Sequence, residues 1–492
     1  MRICHFVAAC TALCSSLAWP NAGIAQFPDA HDPPPPGWTG PVFKLRQDYP
    51  PAVPPSENYP WKQIDFKTQP LDYLQSVLQY CYQGNTDANV DWQVEKNQQR
   101  NWYHAPWMHA TDSGREFIHG LTRERNTPGG DLHDNQTAPV QNWAVSLYNP
   151  SGGYTIGQVW KDPNSPDPSA ARFADGAVSI KLLFTEATDQ AGPKQVPFLN
   201  NAKAWQADIN RNALPDGSNV PGLRLLQIDV AVREARADST TGWVFGTFIY
   251  NGNAPGATPY DRMVPVGLMW GNDPGVTPTL VTGGAMLQES YLNPAAKPLM
   301  KHYGWAGRLN GPVDNKVSSC LSCHSTAQVP QGSAMTPPNN ASETTRLNWF
   351  RNIKAGDLFD PGGQNQSVDY SLQLSKGIQN FHAAQGTIVT AAIAERPMLF
   401  TRQGQRVFAV TRDDHEKAEQ ALVRSVPAAQ SAQAKPDGAL IRDVFAERRG
   451  ISWRDLLIGI VIGIALSAIA LWAMGFLRAP GQGNASEEKK AS

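Results

Sequence analysis

Near the C-terminus, Leu456 to Leu477 form an unbroken apolar run of roughly 22 residues. That length spans a bilayer as a helix, so this run constrains the fold of everything before it. Ser467 is its one polar residue, and a serine can bond back to its own helix. Trp453 and Trp472 lie near its ends, where interfacial tryptophans are common. Gly459, Gly463 and Ser467 share one face at small-xxx-small spacing, which permits a homodimer of paired spans. The N-terminus reads as a secretory leader: Arg2, then a mostly apolar stretch from Phe6 to Trp19. Gly23-Ile24-Ala25 offers a cleavage site before Gln26. Val7-Ala8-Ala9-Cys10 is a weak match to a lipoprotein box, with too short an apolar run before it. Leader and span together predict a single-pass protein of the bacterial inner membrane. Residues 26–453 then lie in the periplasm and the tail from Arg478 in the cytoplasm.

The chain has 492 residues, too many for one ordinary domain, so two or three globular units are expected. Its 40 prolines and 41 glycines are well spread, which predicts abundant loops and few long helices. A net charge of −1 offers no electrostatic case for nucleic acid as a partner. Once Cys4, Cys10 and Cys14 leave with the leader, Cys81, Cys320 and Cys323 remain. Three thiols make no disulfide framework, and Cys81 is expected to be a buried packing residue.

The expected fold class is α+β. Residues 26–139 make a proline-rich region, with a short amphipathic helix at Leu71–Tyr82 and an aromatic, His-rich and Arg-rich loop at 102–125. His104, His109, His119 and His133 fall within that loop and its continuation. The loop is either a cofactor-facing wall with an arginine near an anionic group, or a stacked surface. Residues 140–299 are rich in β-branched and aromatic residues, with strands expected at Ala177–Phe184, Leu223–Val232, Trp243–Tyr250 and Met263–Trp270. Gly152-Gly153 and Gly283-Gly284 read as turns. The result expected is an antiparallel sandwich or barrel. Residues 300–410 carry short helices, one capped by Ser342 and running to about Lys354, and one at Val368–His382. A charged helix and linker (411–453), the membrane segment (454–478) and the tail (479–492) complete the chain.

Within the third region stands Cys320-Leu321-Ser322-Cys323-His324. Two thiols two residues apart lie on about one helical turn, and the histidine follows at once. This is the attachment signature of a c-type haem. The thiols make thioethers to two porphyrin vinyl groups, and the imidazole is the proximal iron ligand. A structural zinc site needs four ligands, and no second cysteine pair exists.

The motif resembles the c-type cytochromes over roughly residues 300–400. The resemblance implies one covalent haem c, a small helical haem domain, and electron transfer to a redox partner protein. The glycine-rich stretch before Cys320 departs from the helix usual in small cytochromes c. Met335, Met398, His302 or His382 can supply the sixth ligand, or the iron can be open, and Met335 is the preferred choice. A membrane-anchored electron carrier is the leading reading. A haem enzyme or a gas or redox sensor is the alternative, because the non-haem region is larger than a carrier needs.

Overall fold

The computed structural model describes residue 27 and residues 34–384, except 56, 109–114, 212, 213, 215, 216, 219 and 363. The predicted leader, Met398, the linker, the membrane segment with Gly459 and Gly463, and the tail lie outside the described residues. Among the described residues no helix is long and apolar enough to cross a membrane.

An eight-stranded antiparallel sheet forms the centre. Its strands are β1 (Thr122–Thr127), β2 (Val140–Tyr148), β3 (Val178–Thr185), β4 (Ala204–Gln206), β5 (Gly222–Arg233), β6 (Trp243–Tyr250), β7 (Met263–Met269) and β8 (Ser290–Leu292). The order is β1-β2-β3-β5-β6-β7-β8, with β4 paired to β5. The expected antiparallel β region is therefore present. Its form is one open sheet: β1 pairs with β2 and β8 with β7, and the two edges do not meet. A second layer of helices and loops, rather than a second large sheet, covers each face. The 102–125 stretch is also not all loop, since β1 begins at Thr122.

Helix α1 (Pro70–Tyr82) covers one face, with Tyr73, Leu74, Val77, Leu78 and Cys81 buried at helical spacing. Cys81 is fully buried, as a packing thiol should be. A Cβ on Gly246 of β6 would collide with Leu74, so the glycine lets α1 lie close to the sheet. Every residue of β6 is buried, and all but Gly246 and Thr247 carry apolar or aromatic side chains. Gly152-Gly153, expected as a turn, lies inside helix α2 (Pro150–Val159), where Asn149 caps the first turn. Both glycines sit under tyrosine rings, Tyr148 and Tyr103, and a Cβ there would strike them. Close packing, not chain reversal, is what these glycines serve.

The other face of the sheet carries the C-terminal part of the described chain. Helix α3 (Pro278–Thr282) lies in an outer loop. Helix α4 (Cys320–His324) is the Cys-x-x-Cys-His segment itself, and α5 (Glu343–Arg346) is capped by Ser342 as expected but gives way to a 3-10 turn at Leu347–Trp349, short of Lys354. Helix α6 (Leu372–Ala384) replaces the helix predicted from Val368. A short antiparallel ribbon, β9 (Gln328–Val329) with β10 (Gln366–Ser367), ties α4 to the lead-in of α6. The described residues belong to one compact unit, so the segment after residue 300 packs within the same body as the sheet.

Candidate functional site

A five-residue helix cannot hold itself together in water, so α4 depends on its caps. Ser319 Oγ accepts from the Ser322 amide at 3.1 Å, and Ser322 Oγ accepts from the Ser319 amide at 2.8 Å. This reciprocal pair is a capping box made of two serines. Ser319 Oγ also donates to Asn272 Oδ1 at 3.0 Å. Asn272 is held by its own bonds to Asn352 and to the Arg351 carbonyl, and its carbonyl accepts from Arg308 Nε at 2.7 Å. The fully buried Arg308 guanidinium donates further to the carbonyls of Asp273, Val276 and Trp305. A chain of buried polar bonds thus fixes where α4 begins.

Leu321 and Ser322 turn into the protein and are fully buried. Cys320, Cys323 and His324 are half-buried and line one cavity of about 260 Å³. Neither thiol is in a disulfide. Burial, with the charges of Asp229 and Asp314, pushes the Cys320 thiol well above its ordinary pKa. His324 Nδ1 lies 2.9 Å from the Tyr370 carbonyl oxygen. A carbonyl only accepts, so Nδ1 carries the proton and Nε2 keeps a free lone pair. Burial is the largest influence on this imidazole and takes its pKa down to about 4. Phe245 braces the ring at 4.7 Å between centroids. The ring is therefore neutral at pH 7 and oriented, as a metal-ligating histidine has to be.

Met335, the preferred sixth ligand, lines the same cavity. His302 and His382 do not line it, and Met398 lies outside the described residues. Met108 brings a second thioether sulfur to the cavity wall. The 102–125 stretch divides in two. Thr122, Arg123, Glu124 and Arg125 line the cavity, while His104 and His119 do not. His104 is engaged elsewhere: Nδ1 donates to the Ser146 carbonyl at 2.8 Å, and Arg115 donates to Nε2. His119 stacks on Trp205 at 4.5 Å. His133 is likewise not in the wall, where its ring accepts from the Asn135 amide instead. His109 is outside the described residues.

The sheet supplies the cavity floor, and the sequence reading did not single out its residues. Ser146, Lys181, Asp229 and Thr247 are cross-strand partners on β2, β3, β5 and β6. Together they draw a polar row across four neighbouring strands. Lys181 Nζ pairs with Glu124 at 3.0 Å. Asp229 accepts from Gln227 Nε2 at 2.8 and 2.9 Å and from Thr247 Oγ1 at 2.8 Å. Gln227 Nε2 also reaches Asp314 at 3.2 Å. Thr247 Oγ1 stands 3.8 Å from Cys320 Sγ, where the row meets the motif. A signal was available: Lys181 and Asp229 each put a charge in mid-strand between apolar neighbours, Ile180 and Leu182 in one case and Ile228 and Val230 in the other.

Among the described residues no group of three or more His, Cys, Asp or Glu side chains is placed to hold a bare metal ion. No family model, curated protein or solved structure matches this chain.

Proposed function

We propose that this protein is a membrane-anchored c-type cytochrome that binds one haem covalently and passes electrons to a redox partner. The observation that carries the reading is the state of His324. Its Nδ1–H is committed to the Tyr370 carbonyl and its Nε2 is free, on a helix whose two thiols line the same cavity. Cys320 and Cys323 would hold the porphyrin, and His324 and Met335 would supply ligands to its iron. Bound there, the haem supplies a one-electron couple. The donor set fits, because a haem iron needs one or two protein ligands rather than a four-ligand cage. The chain's own residues orient the imidazole, brace it with Phe245, and set Arg123, Arg125 and Lys181 in the cavity wall. The leader and the span at 456–477 put this site in the periplasm at the inner membrane, with Gly459 and Gly463 available for a homodimer.

The test is an alkaline pyridine spectrum of the membrane-extracted chain after acid–acetone treatment. Haem should stay with the wild type and leave the Cys320→Ser/Cys323→Ser variant. A wild type that retains no haem sinks the proposal. A second reading, a haem enzyme or gas sensor, draws on the polar floor of the cavity, which an electron carrier does not require. Carbon monoxide separates the two: a ferrous spectrum unchanged by the gas supports the carrier, and a shifted Soret band supports the sensor.

A further inference from the structure

The proposed function uses the motif and leaves the polar floor of the cavity unexplained. Asp229 lies in the middle strand of the sheet, on a face where neighbouring positions of β3 and β6 are Lys181 and Thr247. Two carboxyl groups, Asp229 and Asp314, converge on one amide nitrogen of Gln227. From Asp229, contacts of 2.8 and 3.8 Å through Thr247 lead to the sulfur that anchors the porphyrin. An acid on the floor of the cavity that holds a redox centre has a physical consequence. At an effective dielectric of about 20, a unit charge about 10 Å away shifts a pKa by about one unit.

We propose that Asp229 is the proton-loading site of this redox centre. On reduction by a one-electron donor, Asp229 takes up a proton from water, about half a proton per electron for a one-unit shift, and releases it on reoxidation. The added negative charge is thereby partly offset. This inference rests on the haem reading and deepens it.

The surroundings favour such a role. Asp229 faces Lys181 from β3, Asp314 from the loop before α4 and Cys320 from α4, with Glu124 of β1 behind Lys181. Burial comes first and the negative charge of Asp314 second in pushing the Asp229 carboxyl up to about 7, against Lys181, Gln227 and Thr247. Lys181 remains cationic: burial pulls it down, and Glu124, Asp229 and Asp314 outweigh that and raise it. Arg125 at the cavity rim is turned to the Val313 carbonyl and towards Asp131.

The experiment is a spectroelectrochemical titration of the purified full chain across the neutral pH range. The wild-type midpoint potential should fall as pH rises. A tenfold difference in proton affinity between the two redox states corresponds to a total fall of about 59 mV. Asp229→Asn should keep the haem spectrum and make the potential independent of pH. Asp314→Asn should move the pH window downward, since it removes the charge that raises Asp229. A flat wild-type profile overturns the proposal, and so does a pH dependence that survives in Asp229→Asn, which would place the proton on a haem propionate instead. If Asp229→Asn fails to assemble, the wild-type redox-difference infrared spectrum decides. A carboxylic C=O band sensitive to deuteration supports Asp229, and no such band overturns it. A wild type without haem overturns the proposed function and this inference together, whereas a haem-loaded chain with a flat profile overturns this inference alone.

Discussion

Ser319 is the residue on which the placement of the motif most depends. It is fully buried, and its hydroxyl works in two directions. It accepts from the Ser322 amide at the start of α4 and donates to Asn272 Oδ1. Ser319→Ala removes both. Loss of the N-cap costs about 0.5–2 kcal/mol. Asn272 Oδ1 then stays buried without its donor, at a further cost of about 1–3 kcal/mol. The expected loss is about 1.5–5 kcal/mol, a large share of the roughly 5–15 kcal/mol typical of a folded protein. The functional consequence exceeds the energetic one. A helix of five residues has no stability of its own, so an uncapped α4 frays and the two thiols and His324 lose their common orientation. Urea unfolding followed by tryptophan fluorescence measures the first effect, and covalent haem retained per chain measures the second. Ser319→Thr keeps a hydroxyl and should recover most of both. The reasoning is refuted if Ser319→Ala unfolds within about 0.5 kcal/mol of the wild type and retains haem equally well.

Three other perturbations follow from the same contacts. Gly246→Val drives a side chain into Leu74 and Val230 between α1 and the sheet, and should cost about 1–3 kcal/mol in urea unfolding. Glu234 is fully buried and accepts from Lys62, Arg236 and Tyr73. Burial alone would raise its carboxyl, but Arg236 and Lys62 outweigh burial and lower the pKa to about 2. Its stabilisation is therefore present above the ordinary value of 4.5 and is lost as pH falls through about 2. Glu234→Gln should remove on the order of 3 kcal/mol at neutral pH and flatten this acid limb, as read by melting temperature against pH. Met335→Leu should abolish any methionine–iron absorption band of the ferric protein and lower the potential. An unchanged spectrum would assign the distal position to another group, with Met108 the next sulfur in the cavity wall.

Local chemistry carried much of what could be read from residues alone. One helical turn separates Cys320 from Cys323, and that spacing is a property of the chain wherever it is placed. β-Branched and aromatic runs located β3, β5, β6 and β7 to within a residue or two, because such side chains fit the pleated, largely buried surface of a covered sheet. Helix α1 showed itself by its period. Readings failed where a residue served a distant neighbour. Gly152 and Gly153 have the composition of a turn, yet they lie in a helix because Tyr148 and Tyr103 press against them. Thr122 to Arg125 looked like part of an irregular loop, and pairing with β2 makes them an edge strand.

The sequence by itself determined the motif, the spacing of Cys320 and Cys323 and the places of the main strands. Each of these is encoded within a few residues. Tertiary structure decided what the motif faces. The protonation state of His324 is set by the carbonyl of Tyr370, 46 residues away. The row from Ser146 through Lys181 and Asp229 to Thr247 exists only through strand register, which brings together positions spread over about a hundred residues. Register depends on the pairing of whole strands, so no local pattern announces that an acid, a base and a cysteine will share one cavity.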